Sequence, residues 1–341
     1  FFHNCNRGKR SLAIDLKSED GLEAVKKLAA RADVLLHNYR PGVMDRLGLG
    51  SDVLRQINPK LVYVAVSGFG KQGPMADKPA FDHVIQGMSG LTNLQSPDDN
   101  GYDHIRTFIC DKVTSYTVCQ AATAALVARA TTGEGQHIDI SMLHSCLAFM
   151  WPDGMMHKTL KDDDRFEMSP GADYFQTLNF SDGAVAVAAL TDSHWQALLP
   201  LIGYPELLDT PLFGSIASRM SNMKEVGLVL KNPRFDIGVA KAVAALKAAD
   251  VPCAPCLHQD ELEANEQIQA IDALETYVTK AMGTLTVPRP PVQFDGATTS
   301  QAKPSPLLGE HSREVLGELG WDQSAIDQLI SSGDVAVTAL P

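Results

Sequence analysis

The chain has 341 residues, 45% hydrophobic and 21% charged, with 29 Lys and Arg against 41 Asp and Glu and a formal net charge of -12. That length exceeds one small core and favours two domains, and the composition is that of a soluble globular protein. The acidic balance argues against a nucleic-acid or anionic-membrane surface but permits a local basic pocket, and no apolar run approaches the roughly 20 residues of a membrane helix.

The six cysteines, at 5, 110, 119, 146, 253 and 256, show no paired metal spacing. Cys253-Ala254-Pro255-Cys256 has CxxC form, but Pro252 and Pro255 place it in an extended segment, so isolated structural thiols are expected rather than a redox pair. This usage suits a reducing cytoplasm. The chain opens Phe1-Phe2-His3 without a Met, signal peptide or transit peptide, which reads as an N-terminal truncation.

Residues 11–17 alternate like a strand, and Ser18 then caps a helix with apolar positions at 22, 25, 28 and 29. Residues 32–37 read as a buried strand ending in Asn38-Tyr39-Arg40-Pro41-Gly42. A short helix from Val43, another over 51–57 and a strand over 61–66 follow. This β-α-β-α-β alternation predicts an α/β fold with a mostly parallel sheet, whose ligands collect beyond the carboxyl ends of the strands, at 38–42 and 67–74. The second of these loops holds three glycines but is neither a P-loop nor a dinucleotide fingerprint; a close approach to ligand and a plain turn are equally good readings.

Residues 95–104 read as an exposed loop. The apolar, strand-like Arg106-Thr107-Phe108-Ile109-Cys110 then ends at Asp111, and residues 112–129, free of Pro and Gly, predict a helix. Asp111 thus stands at a helix N-terminus, where exposed N–H groups and the macrodipole favour an ionised carboxylate. Alone, it reads as a cap. A strand over 137–141 follows. Beyond Trp151, the polar stretch 158–170 reads as a crossing linker. A smaller α/β unit comes next, with a hairpin around Ser181-Asp182-Gly183 and helices near 192–202, 219–230 and 236–248. A helix over 258–270, an extended connector over 287–291 and two amphipathic helices over 311–319 and 322–331 complete the chain.

Five blocks set Asp111 in context: Asn6-Arg7-Gly8-Lys9-Arg10-Ser11-Leu12 with Asp15-Leu16-Lys17; residues 38–48; Val66-Ser67-Gly68-Phe69-Gly70 with Gly73-Pro74; Asp111 with Thr132-Gly133-Glu134-Gly135-Gln136; and Pro306-Leu307-Leu308-Gly309-Glu310-His311. In order and spacing they resemble the family III CoA-transferases, the group of formyl-CoA:oxalate and carnitine CoA-transferases and α-methylacyl-CoA racemase. The resemblance runs over nearly the whole chain and implies a βα segment of about 60 residues ahead of the first block.

It also implies a Rossmann-like parallel-sheet large domain and a smaller α/β domain in an interlocked homodimer. The corresponding boundaries are 1–150 for the large CoA-binding domain, 151–170 for a linker, 171–257 for the small domain, 258–292 for a second linker and 293–341 for a return to the large domain. Asp111 aligns with the family's nucleophile, which forms aspartyl anhydride and aspartyl-CoA thioester intermediates while CoA passes from an acyl-CoA to a carboxylic acid. The implied CoA site comprises Asp15, Lys17, Asn38, Tyr39, Arg40, Arg46, Lys78 and Phe81. No metal and no permanently bound cofactor is implied; coenzyme A or acyl-CoA enters as substrate, with small carboxylic acids and a second copy of the chain as partners, and no nucleic acid or membrane.

Racemase relatives carry a histidine where Phe81 stands, and Phe81 cannot exchange a proton, so transfer is favoured over racemisation. Two further departures are Ser115, where the family carries glycine, and a 168–173 loop with a single glycine where the family has a glycine-rich oxyanion loop. The alternatives to transfer are a racemase or isomerase on the same scaffold and a truncated, non-catalytic chain that binds CoA.

Overall fold

The structure is a computed structural model describing residues 1–96, 101–161, 177–279, 281–298 and 303–338. The 168–173 loop, residues 97–100 of the expected 95–104 loop and residues 162–170 of the expected crossing lie outside the described residues.

In chain order the main elements are β1 (Ala13–Ile14), α1 (Glu19–Arg31), β2 (Val34–His37), α2 (Ser51–Ile57), β3 (Val62–Ser67), α3 (Asp82–Ser89), α4 (Ile109–Thr132), β4 (His137–Ser141), α5 (Met142–Gly154), β5 (Thr177–Phe180), β6 (Gly183–Val187), α6 (Asp192–Leu201), α7 (Met223–Lys231), α8 (Val239–Ala248), β7 (Cys253–Pro255), β8 (Leu274–Thr279), β9 (Gly283–Pro288), α9 (Ser312–Glu318), α10 (Gln323–Ser332) and β10 (Val335–Ala336). The chain divides into two compact units, one of Phe1–Ala80, Thr114–Met142 and Asp260–Pro341, the other of Phe81–Val113 and Leu143–Gln259. Among the described residues no helix is long and apolar enough to cross a membrane.

The first unit is organised on a parallel sheet in the order β2-β3-β4, with Val34 opposite Val62 and Tyr63 opposite His137. Burial on both faces explains its β-branched run. Val62, Val64, Ile138 and Ile140 pack against Val118, Ala121, Ala125 and Leu126 of α4. Leu35, Tyr63 and Ala65 on the other face pack against Leu22, Val25 and Ala29 of α1 and Leu54 of α2. Ser18 caps α1 as expected, its hydroxyl accepting the Gly21 N–H at 3.0 Å.

The expected strand over 11–17 is reduced to β1 and lies outside the parallel sheet. It pairs antiparallel with β10, Ala13 opposite Ala336. The cause is the buried Ser312 hydroxyl, which accepts the Ala13 N–H at 3.2 Å and donates to the Ala336 carbonyl at 2.8 Å. The helix expected over 258–270 is confined to Glu266–Ala270, because Asn265 interrupts it and caps the new start through the Gln267 and Ile268 N–H groups. The connector expected over 287–291 begins as a paired strand, since β9 forms a hairpin with β8 in which Leu285 stands opposite Tyr277.

In the second unit an antiparallel sheet, β5-β6-β7, carries the expected hairpin and places Cys253 opposite Val187. Leu178, Val185, Trp195, Leu198, Val226 and Leu246 form its core with α6, α7 and α8. All six cysteines are free thiols.

Candidate active site

The expected strand over 106–110 is absent. Ile109 and Cys110 already belong to α4, with Asp111 as its third residue, and the Lys112 N–H donates to the Phe108 carbonyl at 3.2 Å. The run finds a side-chain amide instead of a neighbouring strand. Gln86 of α3 accepts the Ile105 N–H at 3.0 Å and donates through Nε2 to the Ile105 and Thr107 carbonyls, each at 3.2 Å.

The first turn of a helix leaves N–H groups without intrahelical partners. The Asp111 N–H is satisfied by Asp82, whose Oδ2 accepts it at 2.9 Å. The other oxygen of Asp82 accepts from Gln86 Nε2 at 2.6 Å. Asp82 is only 4% exposed and Gln86 2%.

Burial pushes the Asp111 carboxyl above the usual carboxylate range and the charge of Asp82 adds to the rise, with Lys112 opposing. This rise runs against the stabilisation of the anion expected at a helix terminus. Cys110 of α4 and Cys146 of α5 are buried beside this turn, and the hydrogen bond to Cys146, followed by burial, pushes the Cys110 thiol up. Phe81 is exposed and stacks on His83, centroids 6.1 Å apart, and His104 Nε2 donates to the His83 carbonyl at 3.2 Å.

A cleft opens in the first unit over β2, β3 and β4. It is lined by Tyr39 and Arg40 and also by His37, Lys71, His137 and Asp139. Gly42, at φ 77°, turns the chain there in a region that disfavours other residues, and Arg46 Nη1 lies 3.1 Å from where a Cβ on Gly42 would stand. The other expected CoA contacts do not line this cleft. Asn38 is exposed; Asp15 closes a turn by accepting the Lys17 N–H at 2.9 Å; Lys78 is exposed beside Asp77 at 3.7 Å. Phe81 belongs to the second unit. Gly68 has a packing role, since a Cβ on it would stand 2.1 Å from that of Ala80.

Sequence reasoning missed His37, Lys71, His137 and Asp139 of the cleft. Asp139 pairs with Lys71 at 2.8 Å and His137 at 3.0 Å. Burial opposes ionisation of Asp139, but these two partners overcome it and hold its pKa below the usual range. Burial, reinforced by His137, lowers that of His37. The alternation of His137 and Asp139 with Ile138 and Ile140 was visible in the sequence, but their partner Lys71 lies far from them in the chain.

The sequence profile of CoA-transferase family III matches residues 1–312. The chain belongs to that family. Succinyl-CoA:glutarate CoA-transferase of Mus musculus is 29% identical over 98% of this chain and 77% of its own length. Acetyl-CoA:oxalate CoA-transferase of Acetobacter aceti is 33% identical over 93% of this chain and 82% of its own. The crystal structure of a CAIB/BAIF family protein from Brucella suis superposes with a TM-score of 0.76 at 31% identity, covering 93% of this chain and 83% of the other. This family III chain is therefore an enzyme of the CoA-transferase type with a mixed α/β fold. Its first and last sequence blocks meet in space: the His311 N–H donates to the Ser11 carbonyl and the Gly309 N–H to the Ser11 hydroxyl, both at 3.0 Å.

Proposed function

We propose that the protein moves CoA from an acyl-CoA to a small carboxylic acid with Asp111 as covalent nucleophile. The supporting observation is the half-buried Asp111 carboxyl on the first turn of α4, its amide tied to Asp82 and its pKa raised. A carboxylate poorly stabilised as an anion is the stronger nucleophile toward a thioester carbonyl.

In the first half-reaction the Asp111 carboxylate attacks the acyl-CoA carbonyl, forming a mixed anhydride and releasing CoA thiolate. The thiolate attacks the aspartyl carbonyl, giving an aspartyl-CoA thioester and the donor acid. The acceptor carboxylate then attacks that thioester, forming a second anhydride and releasing thiolate again. Attack of the thiolate on the acceptor carbonyl yields the new acyl-CoA and restores Asp111. No proton is transferred, so no general base is required. The relatives' names bring glutarate and oxalate forward as acceptors to examine.

CoA binding is proposed at Asp15, Lys17, Asn38, Tyr39, Arg40, Arg46, Lys78 and Phe81, with the guanidinium and ammonium groups as phosphate partners. The homodimer and the domain boundaries implied by the family resemblance belong to the same reading, as does the cytoplasmic location that the cysteine usage suits. The test is incubation of the protein with succinyl-CoA and hydroxylamine, followed by peptide mass analysis. A hydroxamate at Asp111 is the expected product; an unmodified Asp111 peptide during active turnover removes the covalent mechanism.

A further inference from the structure

We propose that Asp82 and Gln86 of α3 are positioning residues that hold the Asp111 turn and the 105–107 segment as one frame. The proposal rests on the reading of Asp111 as nucleophile.

Two buried polar side chains, one turn apart, make a closed set of bonds. Asp82 uses one oxygen on the Asp111 N–H and the other on Gln86. Gln86 uses its amide oxygen on the Ile105 N–H and shares its two amide N–H groups among Asp82 Oδ1 and the Ile105 and Thr107 carbonyls. Buried groups of this kind are costly unless every partner is in place, so the set has one low-energy arrangement. The first turn of α4 and its approach segment are therefore fixed by two side chains of another helix. Displacing a nucleophile by about 1 Å costs on the order of 10²-fold in rate, which is what this frame prevents.

Asp82 also brings a negative charge toward the Asp111 carboxyl. The other titratable groups bearing on Asp111 are Lys112 and Cys110 on α4 and Cys146 on α5. Asparagine at position 82 keeps an oxygen for the Asp111 N–H and removes the charge, but turns an amide N–H toward Gln86 Nε2 and gives up that bond. It reads the electrostatic role chiefly through the pH profile, while Asp82→Ala and Gln86→Met read the geometric one.

The experiment measures CoA transfer from succinyl-CoA for wild type, Asp82→Asn, Asp82→Ala and Gln86→Met, with hydroxylamine trapping at Asp111 and pH profiles of kcat/KM. Asp82→Ala and Gln86→Met are expected to lower kcat by about 10- to 100-fold while KM for succinyl-CoA stays within about threefold. Asp82→Asn is expected to lose less rate and to shift the acid limb of kcat/KM to lower pH, because the Asp111 carboxyl then ionises more readily. If the alanine variant fails to fold, the kcat of Gln86→Met together with that of the nearly isosteric Asp82→Asn decides the matter. Variants within about twofold of wild type in kcat, with an unmoved acid limb and Asp111 still trapped, overturn the positioning role and leave the nucleophile reading intact. Absence of trapping in active wild type overturns both.

Discussion

At Asp111 two carboxylates share one helix terminus, and only one of them serves the backbone bond given above. Asp82 takes the N–H, and Asp111 carries the strain of being charged beside it. Its pKa is above the unfolded value of 3.8, so the folded state binds the proton more tightly than the unfolded chain. Ionised Asp111 therefore costs stability, fully above its folded pKa, decreasingly as pH falls through it, and not at all below the unfolded value. Asp111→Asn is expected to abolish transfer by roughly 10⁴-fold or more. It is also expected to raise Tm at pH 7, with the gain vanishing in melts run below the ordinary carboxylate pKa. Asp139 has the opposite sign: its pKa is depressed, so its pairing stabilises above the unfolded value and is lost as pH falls through the folded one. Lys71 and Asp139 are each about half exposed, which keeps the Asp139→Asn loss to about 0–1 kcal/mol and makes it salt-sensitive in denaturant titrations.

At the scale of elements, the chain ends are tied by few but buried contacts. Ser312 is wholly buried and serves both β1 and β10. Ser312→Ala leaves the Ala13 N–H and the Ala336 carbonyl short of a partner and is expected to cost about 1–3 kcal/mol, with faster amide exchange at Ala13 and Asp15 as the specific readout. The turn over the cleft depends on Gly42. Gly42→Ala places a side chain at φ 77°, with an expected cost of about 1–2 kcal/mol in chemical denaturation. Because Arg46 lies against that turn, a rise in KM for acyl-CoA is the accompanying effect.

At the scale of the whole molecule, each unit has its own core. Trp195, 3% exposed, packs on Phe213 with centroids 5.1 Å apart, and Arg219 lies over its ring. Trp195→Ala is expected to cost the second unit about 3–5 kcal/mol, measured as a shift in the denaturation midpoint. Apolar periodicity and capping residues by themselves determined α1, β2, β3 and the 177–187 hairpin, because these features act over a few residues. The block order determined the family, and only that context raised Asp111 from a helix cap to the proposed nucleophile. Tertiary structure alone decided that residues 106–110 are no strand, since their partner is Gln86, about 20 residues back. It also decided that β1 pairs with β10 across some 320 residues, that Lys71 meets His137 and Asp139, and that Asp82 accepts the Asp111 N–H. Burial and charge proximity depend on which distant segments meet, so the direction of the Asp111 pKa shift lay beyond local sequence.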